Sequence, residues 1–129
     1  MAKIMLIDDD QDLANLTRTA LVKNGYEVML FHDAPRAIAA AAAQRPDLIL
    51  MDIMLPELSG AEAVKIFRKN GLLKDIPVVF LTALISHEED LEKTGINIEG
   101  TIYKTLGKPY EIGQLLKLVE AALYPGVRK

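Results

Sequence analysis

Asp8, Asp9, Asp52, Thr82 and Lys108 are the residues of this chain whose types and spacing could do chemistry. Each stands at the end of a short apolar run. Lys3-Ile4-Met5-Leu6-Ile7 leads into Asp8-Asp9-Asp10, and Asp47-Leu48-Ile49-Leu50-Met51 leads into Asp52. Pro77-Val78-Val79-Phe80-Leu81 leads into Thr82, and Thr101-Ile102-Tyr103, continuing irregularly, reaches Lys108-Pro109. Gathered in one place, these carboxylates, a hydroxyl and an ammonium would suit one divalent cation and one phosphoryl group. Two carboxylates 4 Å apart repel by about 4 kcal/mol at an effective dielectric of 20. Such a cluster needs a cation, or one member must keep its proton. Hard oxygen donors with room for water suit Mg2+, whereas zinc would want His or Cys. Asp52 can also act as a nucleophile, taking a phosphoryl group as an aspartyl phosphate. Thr82 can donate a hydrogen bond to a phosphoryl oxygen, and Lys108 can neutralise its charge.

Each residue also has a plainer reading. Asp8, Asp9 and Asp10 can all cap a following helix, and for Asp10 that is the better account. Thr82 can be an ordinary β-branched strand residue, and Lys108 a surface lysine before a turn proline. Asp52, flanked by apolar residues, would be costly to bury unless paired or coordinated. The argument for a site is their common position. Continuous apolar runs of this kind read as strands buried on both faces, and open parallel sheets bind ligands beyond the carboxyl ends of their strands.

The elements that would position these residues alternate strand and helix, which predicts βαβ units in a parallel α/β sheet. Strand one covers residues 3–7. Helix one runs to about Asn24, with Leu13, Leu16, Ala20 and Leu21 on one face and Gly25 as a stop. Strand two is Tyr26 to Phe31. Asp33 caps helix two, which carries Pro35 in its first turn and the run Ala39 to Ala43. Arg45-Pro46-Asp47 opens strand three, and Met54-Leu55-Pro56-Glu57-Leu58-Ser59-Gly60 reads as a loop before helix three. Helix three ends about Asn70, and residues 71–76 connect it to strand four. Ser86 and Glu89 form a capping box for helix four, which ends at Gly95. The last helix spans about Glu111 to Leu123, with Ile112, Leu115, Leu116, Val119 and Leu123 toward the core. Tyr110 is expected to pack with its hydroxyl wet. His32 and His87 lack a metal-ligand partner in sequence and read as solvated.

The bulk numbers narrow the function classes. A chain of 129 residues fits one domain with a respectable core, and 50% hydrophobic residues argue against disorder. A net charge of −3 without a basic patch argues against nucleic-acid binding. Cysteine is absent, which removes disulfides and thiolate zinc sites. No stretch approaches a membrane span, and the first apolar run meets aspartates too early for a signal peptide. The expectation is a cytoplasmic domain over residues 1–124, with 125–129 as a tail that could begin a linker.

The pattern Asp8-Asp9, Asp52 after an apolar strand, Met54-Leu55-Pro56 with Gly60, Thr82-Ala83 and Lys108-Pro109 resembles the receiver domain of two-component response regulators. The resemblance covers essentially the whole chain. It implies a flavodoxin-like, doubly wound, five-stranded parallel sheet in the order 2-1-3-4-5. It implies Asp52 as phospho-acceptor, with Thr82 and Lys108 holding the phosphoryl oxygens. Mg2+ would be held by Asp9, Asp8, Asp52 and the backbone carbonyl of Met54. The donor would be a sensor histidine kinase or a histidine phosphotransfer protein. Output would pass through the face of helix four, strand five and helix five, to a partner or by homodimerisation. Such a domain catalyses only its own phosphorylation and dephosphorylation. The apolar Met54 and Leu84 imply slow loss of the phosphoryl group, since neither can orient a water.

The chain departs from the family pattern between Thr82 and Lys108, which is a few residues longer than usual. An aromatic residue is expected three positions before the lysine, where Thr105 stands, whereas Tyr103 lies five before. Either Tyr103 serves through a bulged strand or the aromatic coupling is absent. Three other functions compete with the switch, of which a nucleotide-binding flavodoxin-like protein is discounted because no Gly-rich or Ser/Thr-rich phosphate loop follows strand one. An unphosphorylated pseudo-receiver would share the fold, and a haloacid-dehalogenase-type phosphatase would share Asp, Thr, Lys and Mg2+. The phosphatase needs a second acid two residues after its nucleophile, and Met54 cannot transfer a proton.

Overall fold

The computed structural model describes residues 1–83 and 95–125. The strands are β1 (Lys3–Ile7), β2 (Glu27–Phe31), β3 (Leu48–Asp52), β4 (Val78–Thr82), β5 (Ile96–Ile98), β6 (Thr101–Tyr103) and β7 (Thr105–Gly107). Helices among the described residues are α1 (Gln11–Lys23), α2 (Ala34–Gln44), α3 (Gly60–Lys69) and α4 (Ile112–Leu123). A parallel sheet runs in the order β2-β1-β3-β4-β7, so the expected five-stranded, doubly wound topology is present. The fourth helix expected from the sequence, with its Ser86–Glu89 box, His87 and Leu84, lies outside the described residues.

Alternation along the strands sorts the core into two layers. Ile4 and Leu6 of β1, Leu48 and Leu50 of β3, and Val79 and Leu81 of β4 pack with Ala14 and Leu21 of α1 and Leu115 and Val119 of α4. Met5, Ile7, Ile49, Met51, Val78 and Phe80 pack on the other face with α2, with Val64 and Phe67 of α3, and with Ile98 and Tyr103. Residues 4–7 of β1, 48–51 of β3 and 78–81 of β4 are therefore apolar at successive positions, which is why their pattern is continuous rather than alternating.

Side-chain caps fix where the helices begin. Asp10, Asp33 and Ser59 accept hydrogen bonds from the backbone N–H groups of Leu13, Arg36 and Glu62. Two helix faces differ from expectation. Leu16 is 67% exposed, and the buried stripe of α1 is Ala14, Thr17 and Leu21. Ile112 is likewise exposed at the start of α4, whose buried residues are Leu115 and Val119.

The larger correction concerns strand five. Thr101–Tyr103 does not enter the main sheet. It pairs antiparallel with Ile96–Ile98, as a hairpin with Ile96 opposite Tyr103 and Ile98 opposite Thr101. The turn is Glu99-Gly100, with φ of 52° and 90°, and left-handed values at both centres match the twist of a two-residue hairpin. The strand that closes the sheet is β7, with Phe80 opposite Thr105 and Thr82 opposite Gly107. This hairpin lies within the stretch between Thr82 and Lys108.

Candidate functional site

Register explains how the site assembles. Ile7 lies opposite Met51 in the β1–β3 pair, so Asp8 and Asp52 emerge side by side at the carboxyl ends. Asp52 lies opposite Leu81, which places Thr82 one step beyond, and Thr82 lies opposite Gly107, which places Lys108 one step further. Asp8 follows Ile4 and Leu6, Asp52 follows Leu48 and Leu50, and Lys108 follows Leu106. All three thus continue strand positions that face α1 and α4.

The Lys108 ammonium bridges the two buried acids. Nζ lies 2.8 Å from Asp52 Oδ2, and 3.1 and 2.9 Å from Asp8 Oδ1 and Oδ2. Asp8 Oδ1 also accepts from the Asp10 N–H at 3.0 Å, and Asp52 Oδ1 from the Met54 N–H at 3.0 Å. Asp8 is fully buried and Asp52 nearly so, while Asp9 is exposed. Thr82 is buried, and its carbonyl accepts the Lys108 backbone N–H at 2.9 Å.

Burial pushes the Asp8 carboxyl above the usual carboxylate range. The Asp10 N–H and the Lys108 ammonium pull it back, and the Asp52 charge adds to the rise. For Lys108, burial works against the charged form, but the hydrogen bonds and charges of Asp52 and Asp8 together outweigh it. Its pKa is raised.

Carboxylate oxygens of Asp8, Asp9 and Asp52 all lie within 4.8 Å of one another. Three carboxylates meet one ammonium, which leaves an excess of negative charge. Asp8 Oδ2 is buried and receives no directed hydrogen bond, although the ammonium is near. An oxygen-only donor set with an under-satisfied buried oxygen fits a hard divalent cation such as Mg2+ better than a nitrogen- or sulfur-seeking metal.

Several supporting residues escaped the sequence reading. His32 is half-buried rather than solvated, and its Nδ1 lies 2.9 Å from the Asp8 carbonyl oxygen. A carbonyl only accepts, so the ring donates from Nδ1. The Tyr110 hydroxyl has a partner within the protein. It lies 2.7 Å from Oγ1 of the buried Thr17, a contact 93 residues apart in sequence that no local pattern announces. Gly60 opens α3 so close to β3 that a Cβ would stand 2.5 Å from the Asp52 carbonyl oxygen. Only glycine allows that approach without moving the backbone that carries Asp52.

Tyr103 is buried in the hairpin and meets Phe80 edge to face, ring centroids 5.7 Å apart. Its hydroxyl accepts from Arg68 Nε at 2.9 Å. The same guanidinium donates from Nη1 to the carbonyls of Lys74 and Ile76, each at 2.9 Å. Tyr103 is thus held inside by α3, and Thr105 occupies the position three before Lys108.

Comparison with known proteins agrees with this geometry. Residues 4–120 match the profile of the response regulator receiver domain. Response regulator MprA of Mycobacterium avium (strain 104) is 35% identical over 121 residues, which are 94% of this chain and 50% of that protein. The chain spans about half the length of the curated relatives it matches. The chemotaxis response regulator CheY4 of Vibrio cholerae superposes with a TM-score of 0.81 at 31% identity, covering 95% of this chain and 99% of the other. The receiver domain of sensor histidine kinase PA1611 from Pseudomonas aeruginosa PAO1, solved with magnesium in its active site cleft, superposes with a TM-score of 0.81 at 26% identity. It covers 95% of this chain and 97% of that one. A match over nearly the full chain, on a sheet of the same order, makes this protein a member of the response regulator receiver domain family.

Proposed function

We propose that this domain is a phosphorylation-controlled switch with Asp52 as its acceptor. The observation that carries the reading is the contact of Lys108 with both Asp52 and Asp8, beside an exposed third acid, Asp9. A carboxylate oxygen of Asp52 attacks phosphorus on a phosphohistidine donor, a sensor histidine kinase or a histidine phosphotransfer protein. The P–N bond breaks, and its electron pair leaves on the ring nitrogen, which takes a proton from water.

Asp8, Asp9, Asp52 and the Met54 carbonyl would hold Mg2+, which supplies positive charge against the phosphoryl oxygens. Lys108 contributes a second positive charge, and its short contact with Asp52 puts the ammonium where those oxygens would arrive. Thr82, at the end of the neighbouring strand, donates its hydroxyl to one of them. The domain over residues 1–124 is regulatory and acts only on its own phosphoryl group, in the cytoplasm.

Phosphorylation adds about −1.5 to −2 charges at neutral pH. That charge draws Lys108 away from Asp8 and Thr82 toward the new oxygens, and so biases the chain between two states that bind an output partner, or a second copy, differently. Intact mass after incubation with acetyl phosphate tests the reading. A single Mg2+-dependent phosphoryl adduct, lost in Asp52→Asn, is expected. An unmodified wild-type protein under all conditions would leave an interaction module without phosphoryl chemistry.

A further inference from the structure

Thr17 interrupts the aliphatic stripe of α1 between Ala14 and Leu21, and its side chain is wholly enclosed. A hydroxyl in such a place is costly unless bonded, and a valine of nearly the same shape would fill the space without that cost. Its partner is Tyr110, whose ring packs against the same aliphatic layer and whose Oη stands 2.7 Å from Thr17 Oγ1. Burial raises the Tyr110 pKa, so the phenol remains a neutral hydrogen-bonding group. A phenylalanine would fill the ring's place equally well. The two hydroxyls therefore serve each other. Replacing both partners of a buried hydrogen bond with apolar groups of the same shape is nearly neutral for stability, so packing alone does not account for the pair.

Position accounts for it better. The helix that carries Thr17 starts at the Asp10 cap, directly after Asp8 and Asp9. Tyr110 is two residues beyond Lys108. The backbone on the near side of Lys108 is fixed by its N–H on the Thr82 carbonyl at 2.9 Å. On the far side, the Thr17–Tyr110 bond ties the segment to α1. A closed circuit results, from Asp8 along α1 to Thr17, across to Tyr110, back to Lys108, and through its ammonium to Asp8 again. Lysine carries a flexible stem, so its ammonium is held only as well as its backbone.

We propose that Thr17 and Tyr110 are positioning residues for phosphoryl transfer, and that their hydrogen bond sets where the Lys108 ammonium meets Asp52. The inference rests on the switch reading above.

The test compares wild type with Tyr110→Phe, Thr17→Val, the double variant and Thr17→Ser. Each is assayed for urea stability and for the rate of Mg2+-dependent phosphorylation across acetyl phosphate concentrations. Each single hydroxyl loss lowers the maximal rate by roughly fivefold, the factor set by the net worth of one such bond. The half-saturating donor concentration stays near wild type, and Thr17→Ser keeps the wild-type rate. In the double variant stability returns toward wild type while the rate stays low. Recovery of both, or a wild-type rate in Tyr110→Phe, would overturn the proposal.

The Lys108 side-chain ammonium resonance, read by NMR without donor or metal, separates this inference from the reading beneath it. A resonance that shifts in Tyr110→Phe and in the double variant supports placement of the ammonium by this bond even if acetyl phosphate leaves wild type unmodified, an outcome that would sink the switch reading and the phosphoryl-transfer role with it but not that placement. An unmoved resonance overturns the positioning role.

Discussion

Replacing Lys108 by methionine removes the ammonium that stands between Asp8 and Asp52 while keeping much of the stem's packing. At an effective dielectric of 20, contacts of 2.8 and 2.9 Å amount to about 12 kcal/mol of gross attraction. Most of that offsets the desolvation of three charged groups. Stripping one partner from a buried ion pair costs about 3–5 kcal/mol, because the acids remain where they are. Urea unfolding near neutral pH should show a loss of that size.

The deficit depends on pH with a definite sign. A carboxyl whose folded pKa is raised contributes stability that is complete below its unfolded value and is lost as pH rises through the folded one. Asp8 already behaves so in wild type, chiefly through burial. Without the ammonium the rise is larger, so Lys108→Met regains stability relative to wild type as pH falls from neutrality toward the ordinary carboxylate range. The raised Lys108 pKa in wild type means the opposite partner's contribution is fully present across that window. Mg2+ should also raise the variant's unfolding midpoint more than wild type's, since no ammonium competes for the acids. A loss below about 1 kcal/mol, or a deficit that does not narrow in acid, would refute the electrostatic reasoning.

Three further outcomes follow from the geometry. Gly60→Ala places a Cβ 2.5 Å from the Asp52 carbonyl oxygen, so it should cost about 1–3 kcal/mol in thermal unfolding and depress acetyl phosphate labelling; wild-type labelling would show that the β3–α3 approach is not required. Arg68→Ala unties the Lys74 and Ile76 carbonyls and the Tyr103 hydroxyl together, and urea titration should show a loss of about 2 kcal/mol, against a smaller loss in Tyr103→Phe. Met54 is 61% exposed and apolar beside Asp52, so Met54→Asn should speed decay of the phosphoryl adduct by giving water a hydrogen-bonding guide; an unchanged decay rate would count against that role.

Much of the fold could be read from the chain because β1, β3 and β4 are buried on both faces, and burial writes itself as continuous apolar runs. The convergence of Asp8 and Asp52 was legible for the same reason, since each ends a run. Lys108 rested instead on the Lys108-Pro109 resemblance, because Thr101-Ile102-Tyr103 lies in the hairpin and the strand before Lys108 is the short Thr105–Gly107. Leu16 and Ile112 were misassigned because helical periodicity fixes a stripe's width better than its edges. The β5–β6 hairpin was missed because Glu99-Gly100 is a weak turn signal and Ile102-Tyr103 resembles the start of a sheet strand. The Thr17–Tyr110 bond and the Arg68 clamp on Tyr103 join residues 93 and 35 apart, and such pairings have no local signature.

Borohydride trapping of the acetyl phosphate-treated protein, followed by peptide mass mapping, tests the central claim most directly. An aspartyl phosphate is reduced to homoserine, so conversion confined to position 52 and dependent on Mg2+ is the predicted result. Conversion at Asp8 or Asp9 instead, or no conversion at any position, would contradict the assignment of Asp52 as the acceptor.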